Sequence, residues 1–295
     1  MRLKLIVLCL TFLLTRQIFS KEPPNFLILI AEDISPDIAA YGDSTVQTPA
    51  LDKLAGDGVT YLNAYTLSPV CAPSRSSLIT GMYPTSIGTH HMRTRSARKD
   101  IPNYDAVPPV YVKHFTEYLR AAGYYCFHWG KHDIQYPSPI SSWDEDGKQE
   151  DIFTIPKAQP FFAVGNFGVT HESGIWGRQD LPLEVDPTEI NLPPYYPDDP
   201  VVRKDIARYY SNMVLLDKQV GQFLEEAEKA GLLENTYVFF LGDHGRALPR
   251  GKRNLYEQGI RVPFILRHPG NKHKGTYEDR LISFVDLAPT VLSLA

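Results

Sequence analysis

"NFLILIAEDISPD", residues 25–37, decides the architecture. Phe26 to Ala31 is an unbroken apolar run, not an alternating one, and a strand of that kind is buried on both faces. Two acids, Glu32 and Asp33, follow at once. Four more runs share this form: "YYCFHW" (124–129), "PFFAVGNF" (160–167), "TYVFFLG" (236–242) and "PFILRH" (263–268). Helical patterns lie between them. They are "TPALDKLAGDG", with Thr48 at the N-cap and Pro49 in the first turn, "YVKHFTEYLRAAG", and a long pattern from Asp205 that closes on Gly231. Strand alternating with helix predicts the α/β class, with a mostly parallel mixed sheet between layers of helices. The Pro-rich segment 181–200 reads as a long surface excursion.

Residues 1–20 have the layout of a secretory leader. Arg2 and Lys4 precede an apolar run from Leu5 to Leu14 that is too short for a stable membrane anchor. An exported chain is therefore expected, with residues 21–295 as one catalytic domain. That domain stops within the helical pattern "DLAPTVLSLA", as if truncated at its C-terminus. With 34 acidic against 30 basic residues the formal net charge is −4, and removing Arg2, Lys4 and Arg16 makes the balance more acidic. No global basic field is left to attract nucleic acid. Any anionic ligand must be held by local cations.

Polar residues collect where the strands end, which is where open α/β sheets place their chemistry. Glu32 and Asp33 follow the first strand, Lys131, His132 and Asp133 the second, His171 the third, and Asp243 and His244 the fourth. Glu32, Asp33 and Asp243, three carboxylates crowded with the His244 imidazole, call for a divalent cation, calcium or magnesium by the hardness of the oxygens. The competing reading, that each acid merely caps a turn, weakens when all of them fall at strand ends. Lys131, His171 and Lys252 add the positive charges that a tetrahedral oxyanion requires, so sulfate and phosphate esters are the substrate classes to consider.

The stretch "SPVCAPSRSSLITG" (68–81) holds one of the two cysteines outside the leader. Pro73 fixes a turn, and Ser74 to Gly81 reads as a short helix with Cys71 beside its N-terminus and Arg75 one turn in. By residue type alone, Cys71 is a low-pKa thiolate nucleophile or half of a disulfide with Cys126. The order Cys71, Ala72, Pro73, Ser74, Arg75, then Leu78, Thr80 and Gly81, resembles the signature of the type I, formylglycine-dependent sulfatases of the alkaline phosphatase-like superfamily. "GKRNLYEQGIRVPF" and "FFAVGNFGVTHES" resemble further segments of that family.

The resemblance implies an alkaline phosphatase-like sandwich whose smaller C-terminal subdomain is missing from this chain. It also implies conversion of Cys71 to formylglycine by a formylglycine-generating or sulfatase-maturating enzyme. Glu32, Asp33, Asp243, His244 and residue 71 would hold the metal. Arg75, Lys131, His171 and Lys252 would orient the nucleophile and grip sulfate, with Lys252 or His171 protonating the leaving alcohol. Glu32 and His244 depart from the more common aspartate and asparagine, and "GKHD" departs from Gly-Lys-x-His, so His132 and Asp133 both stand for the usual histidine. With Cys71 committed to modification, Cys126 is expected to pack as a small apolar residue.

Substrate contacts are read from weaker signals. His90, His91 and Arg93 in "THHMRTRSARKD" are candidate contacts to a sulfated sugar, against a solvated basic face as the default. Trp176 is a candidate sugar platform against packing as its default. A sulfated glycan is the preferred substrate. The alternatives are phosphate or phosphonate ester hydrolysis by the same machinery, and a non-catalytic binder of sulfated glycans.

Overall fold

The computed structural model describes residues 22–92, 100 and 104–295. Within them the apolar runs form one eight-stranded sheet. The strands are β1 (Asn25–Ala31), β2 (Val59–Tyr65), β3 (Tyr125–Trp129), β4 (Glu145–Gly147), β5 (Phe161–Phe167), β6 (Thr236–Gly242), β7 (Phe264–Arg267) and β8 (Thr276–Ser283). Their order is β4-β3-β5-β1-β6-β7-β2-β8. All pairings are parallel except those of β7, which runs antiparallel to β6 and β2. The mostly parallel mixed sheet expected from the sequence is thus observed.

Burial on both faces has a direct signature in β1. Successive side chains of a strand point to opposite faces, and here the two sets enter two different cores. Leu27, Leu29 and Ala31 join one core with α1 (Pro49–Gly56) and the long α5 (Pro200–Lys229). Phe26, Ile28 and Ile30 join the other, with α2 (Cys71–Thr80), α3 (Phe115–Ala121) and α7 (Leu287–Leu294). Two short helices, α4 (Ser173–Gly177) and α6 (Glu257–Ile260), follow β5 and precede β7.

Three strands escape the apolar-run reading for a common reason. β4 is a three-residue edge strand, "EDG", with no apolar residue. β8, "TYEDRLIS", is the charged strand at the other edge, as expected where an unpaired edge must resist further pairing. β2, "VTYLNAY", lies beside it and is only half-buried over much of its length. Helix α5 begins at Pro200, five residues before the periodic pattern. Asp199 caps it, its carboxylate accepting the Val201 N–H at 2.8 Å. Among the described residues no helix is long and apolar enough to cross a membrane.

Candidate active site

The four central parallel strands β3, β5, β1 and β6 are neighbours, so their carboxyl ends open at one edge of the sheet. Register does the rest. Ala31 pairs with Phe167 on one side and Gly242 on the other. Glu32 N–H then donates to Phe167 O (3.1 Å) and Asp243 N–H to Ala31 O (3.0 Å). Two acidic segments 210 residues apart are held side by side by the sheet ladder itself. Asp33 adopts a left-handed backbone (φ 56°), which few non-glycine residues take, and its N–H donates to Asp243 Oδ1 at 3.0 Å.

Helix α2 brings the cysteine to this edge. Cys71 is its first residue, so the helix starts three residues earlier than the sequence pattern indicates, and it ends at Gly81 in the left-handed conformation (φ 65°). The helix has almost no amphipathic pattern because all but its last residue are buried. Ser74 anchors it, donating to Asp243 O (2.5 Å) and sharing a hydrogen bond with Thr66 Oγ1 (2.6 Å). The Cys71 sulfur lies 3.1 Å from His244 Nε2 and 4.0 Å from Asp33 Oδ1. Both Cys71 and Cys126 are free, so the disulfide reading is overturned. Cys126 is wholly buried in β3 and burial pushes its thiol far up, which fits its expected packing role.

Asp33, Cys71, Asp243 and His244 offer donor atoms within 4.8 Å of one another, and all four are buried. Two fully buried carboxylates would repel one another without cations. Here His244 Nε2 stands 3.1 Å from Asp33 Oδ1, Lys252 Nζ 2.8 Å from Asp33 Oδ2, and Arg75 donates to Asp243 Oδ2 through Nε (3.1 Å) and Nη2 (3.0 Å). The titration behaviour follows this pairing. Burial pushes Asp33 up, but His244 and Lys252 outweigh it and hold the carboxyl far below its usual range. Burial pushes His244 down, yet Asp243, Asp33 and Cys71 hold it well above the ordinary imidazole. For Cys71, burial and the Asp243 charge push upward, and hydrogen bonds with His171 and His244 bring the thiol below its ordinary value. Buried hard oxygens with one imidazole are a donor set that fits a divalent cation.

Glu32 sits beside this group. It clusters with Asp33 and His171, and its oxygens accept from Lys131 Nζ (2.7 Å) and Asn166 Nδ2 (2.6 Å). Arg75 extends the same network, donating to Lys131 O (2.9 Å) and Asn166 Oδ1 (2.5 Å). His171 Nε2 lies 4.0 Å from Glu32 Oε2, and its Nδ1 bonds Ser173 Oγ at 2.9 Å.

The two candidates in "GKHD" part company. Asp133, in a left-handed conformation (φ 43°), reaches Lys131 Nζ at 3.3 Å and so stays at the edge of the Cys71 cluster. His132 turns the other way, stacking on His128 with ring centroids 3.6 Å apart and placing its Nε2 3.0 Å from Asp146 Oδ2. His90 and His91 pack on one another, and His91 on Tyr104. Arg93 lies outside the described residues. Trp176 is 63% exposed on α4, so the packing reading does not hold for it.

Two contributors went unrecognised in the sequence. Asn166 ties Arg75 to Glu32, and its signal was one polar side chain near the end of an apolar strand. Glu172 follows His171; its N–H donates to Asp33 Oδ2 (2.7 Å), while its carboxylate meets Lys252 (3.3 Å) and takes both guanidinium nitrogens of Arg253 at 2.8 Å.

The family model "Sulfatase" matches residues 24–150 and 148–295. An ulvan-active sulfatase of Formosa agariphila is 43% identical over 92% of the chain, and the human N-sulphoglucosamine sulphohydrolase is 28% identical over 96%. The chain spans 52% and 63% of the length of these two relatives. Among solved structures, yidJ from Bacteroides fragilis superposes with a TM-score of 0.77 at 23% identity, covering 93% of this chain and 74% of that one. With its alkaline phosphatase-like α/β sandwich and a buried cysteine among acids at the strand ends, the chain belongs to the sulfatase family.

Proposed function

We propose that this protein hydrolyses sulfate esters on a sulfated carbohydrate, with residue 71 as formylglycine and a divalent cation, calcium by preference, held by Asp33, Asp243 and His244 with Glu32 alongside. The observation that carries the reading is the placement of Cys71: its free sulfur starts a helix, within 4.8 Å of the donor atoms of those three ligands. The glycan assignment is supported by the ulvan-active relative at 43% identity.

Formylglycine at residue 71 would supply, as its hydrate, an oxygen nucleophile toward sulfur. A cation held by Asp33, Asp243 and His244 would supply positive charge for an anionic substrate. The chain's own residues do the rest. Arg75 is locked by four hydrogen bonds to Asp243, Lys131 O and Asn166, which fixes its charge beside residue 71 without reorganisation during reaction. Lys131 and Lys252 are each held by a carboxylate, Glu32 and Asp33 respectively, and present the positive charge that an incoming sulfate shares. His171 lies 4.0 Å from Glu32 Oε2, its Nδ1 bonds Ser173 Oγ, and only 29% of its side chain is exposed. It is the group best suited to protonate the departing alcohol, with Lys252 second. Asp133 serves as an orienting partner of Lys131. The protein acts outside the cytoplasm, in keeping with the leader-like residues 1–20.

Mass spectrometry of the peptide containing residue 71, from protein made together with a maturation enzyme, should show the aldehyde. That protein should turn over an aryl sulfate faster than the matched aryl phosphonate, and Cys71→Ala should release no sulfate. A faster phosphonate reaction would move the assignment to the phosphonate ester hydrolases. Binding of sulfated oligosaccharide without any turnover would identify a glycan binder.

A further inference from the structure

Parallel pairing of β3 with β4 sets His128 beside Asp146. His128 is 3% exposed and its Nδ1 lies 3.3 Å from Asp146 Oδ1. The chain then turns at Gly130, in the left-handed region (φ 85°), and folds His132 back over the first imidazole with ring planes 20° apart. His132 Nε2 lies 3.0 Å from the other oxygen of the same carboxylate. Each imidazole thus presents a nitrogen to one oxygen of the same carboxylate, and none of these residues is shared with the Cys71 cluster.

We propose that His128, His132 and Asp146 form a second metal site, for a borderline dication of the zinc type. Donor chemistry separates it from the first cluster: two nitrogens and one carboxylate suit zinc, where buried carboxylates suit calcium. The spacing agrees. Zinc–ligand bonds of about 2.0–2.2 Å in a tetrahedron put neighbouring donors roughly 3.3 Å apart, and the two nitrogen–oxygen separations here are 3.3 and 3.0 Å. All three donor atoms lie within 4.8 Å of one another. Asp146 is 58% exposed and His132 27%, so the outer side can admit an ion and leave a position for water. Among the described residues, the adjoining open cleft of about 660 Å³ is lined by the carboxylates Asp105, Asp133 and Asp146 together with Lys131. Trp143 stands 5.1 Å from the His128 ring and 5.9 Å from the His132 ring, close enough to report an ion by fluorescence.

The proposal goes beyond sulfate hydrolysis and stands without it. The test uses the full chain carrying Cys71→Ser, which removes the competing thiolate, with excess calcium to fill the first cluster. Calorimetric titration with zinc should find one equivalent at micromolar Kd. His132→Ala and Asp146→Asn, both at partly exposed positions, should each weaken it at least tenfold, whereas His244→Ala should not. Copper added in place of zinc should quench a tryptophan signal that Trp143→Phe abolishes. Zinc binding unchanged by His132→Ala in folded protein, lost instead with His244→Ala, or absent below millimolar zinc would each overturn the site.

Discussion

The Lys252 ammonium lies 2.8 Å from Asp33 Oδ2 and 3.1 Å from Asp33 Oδ1, an ion pair in which both side chains are at most 3% exposed. Removing one partner of a buried pair leaves an uncompensated charge and costs about 3–5 kcal/mol. A bound dication can replace the lost charge. Lys252→Ala should therefore melt well below the wild type in chelator, and calcium should raise its melting temperature more than it raises that of the wild type. Equal calcium shifts in the two proteins would show that Asp33 does not face the cation.

Gly245, in the motif Asp243-His244-Gly245, has no room for a side chain. A Cβ there would meet the backbone oxygen of Gln258 at 1.7 Å, and Gly245 N–H donates to Gly259 O at 2.9 Å. Backbone cannot move aside as a flexible side chain can, so overpacking should cost at least the usual 1–3 kcal/mol or so. Gly245→Ala is expected to lower the unfolding midpoint in urea and to weaken calcium binding together. A variant with wild-type stability would mean that the segment around Gln258 yields freely.

His114 gives the fold a pH dependence separate from the Cys71 cluster. Its ring bonds Tyr136 Oη (2.9 Å) and Ser142 Oγ (2.8 Å). Burial pushes its pKa down to about 4, the nearby Glu117 opposing and His132 adding to the effect. The folded protein then binds fewer protons here than the unfolded chain between about pH 6.5 and 4, so stability from this residue is full above that window and lost as pH falls through it. A shift of this size corresponds to about 3 kcal/mol. Denaturation of the wild type at pH 7 and at pH 4.5 should differ by more than that of His114→Gln, and parallel losses would exclude His114 as the source.

Trp176 is exposed on α4, five residues after His171. If it stacks on a sugar ring, Trp176→Ala forfeits about 0.5–1.5 kcal/mol of binding. KM for a sulfated oligosaccharide should rise several-fold with kcat nearly unchanged and the fold intact. A small aryl sulfate should show no change, and a matching rise in its KM would point instead to disturbance of His171.

The α/β class and five of the eight strands were legible in the apolar runs at 25–31, 124–129, 160–167, 236–242 and 263–268, and the family in residues 68–81, because a strand buried on both faces must be apolar throughout and the cysteine motif has a fixed order. Positions of Asp33, Cys71, Asp243 and His244 could be named from that order. The strands β2, β4 and β8 were not legible, since edge and near-edge strands carry mixed or charged residues that periodicity cannot separate from loop. Only the folded chain decided where His132 and Asp133 point, because the left-handed residues Gly130 and Asp133 send consecutive side chains to opposite neighbours. Only it joined Asn166 to Arg75 and Glu172 to Lys252. Local sequence sets which residues become strand, helix or turn; which charges meet across the sheet edge depends on register between segments far apart, and that is fixed when the two cores close.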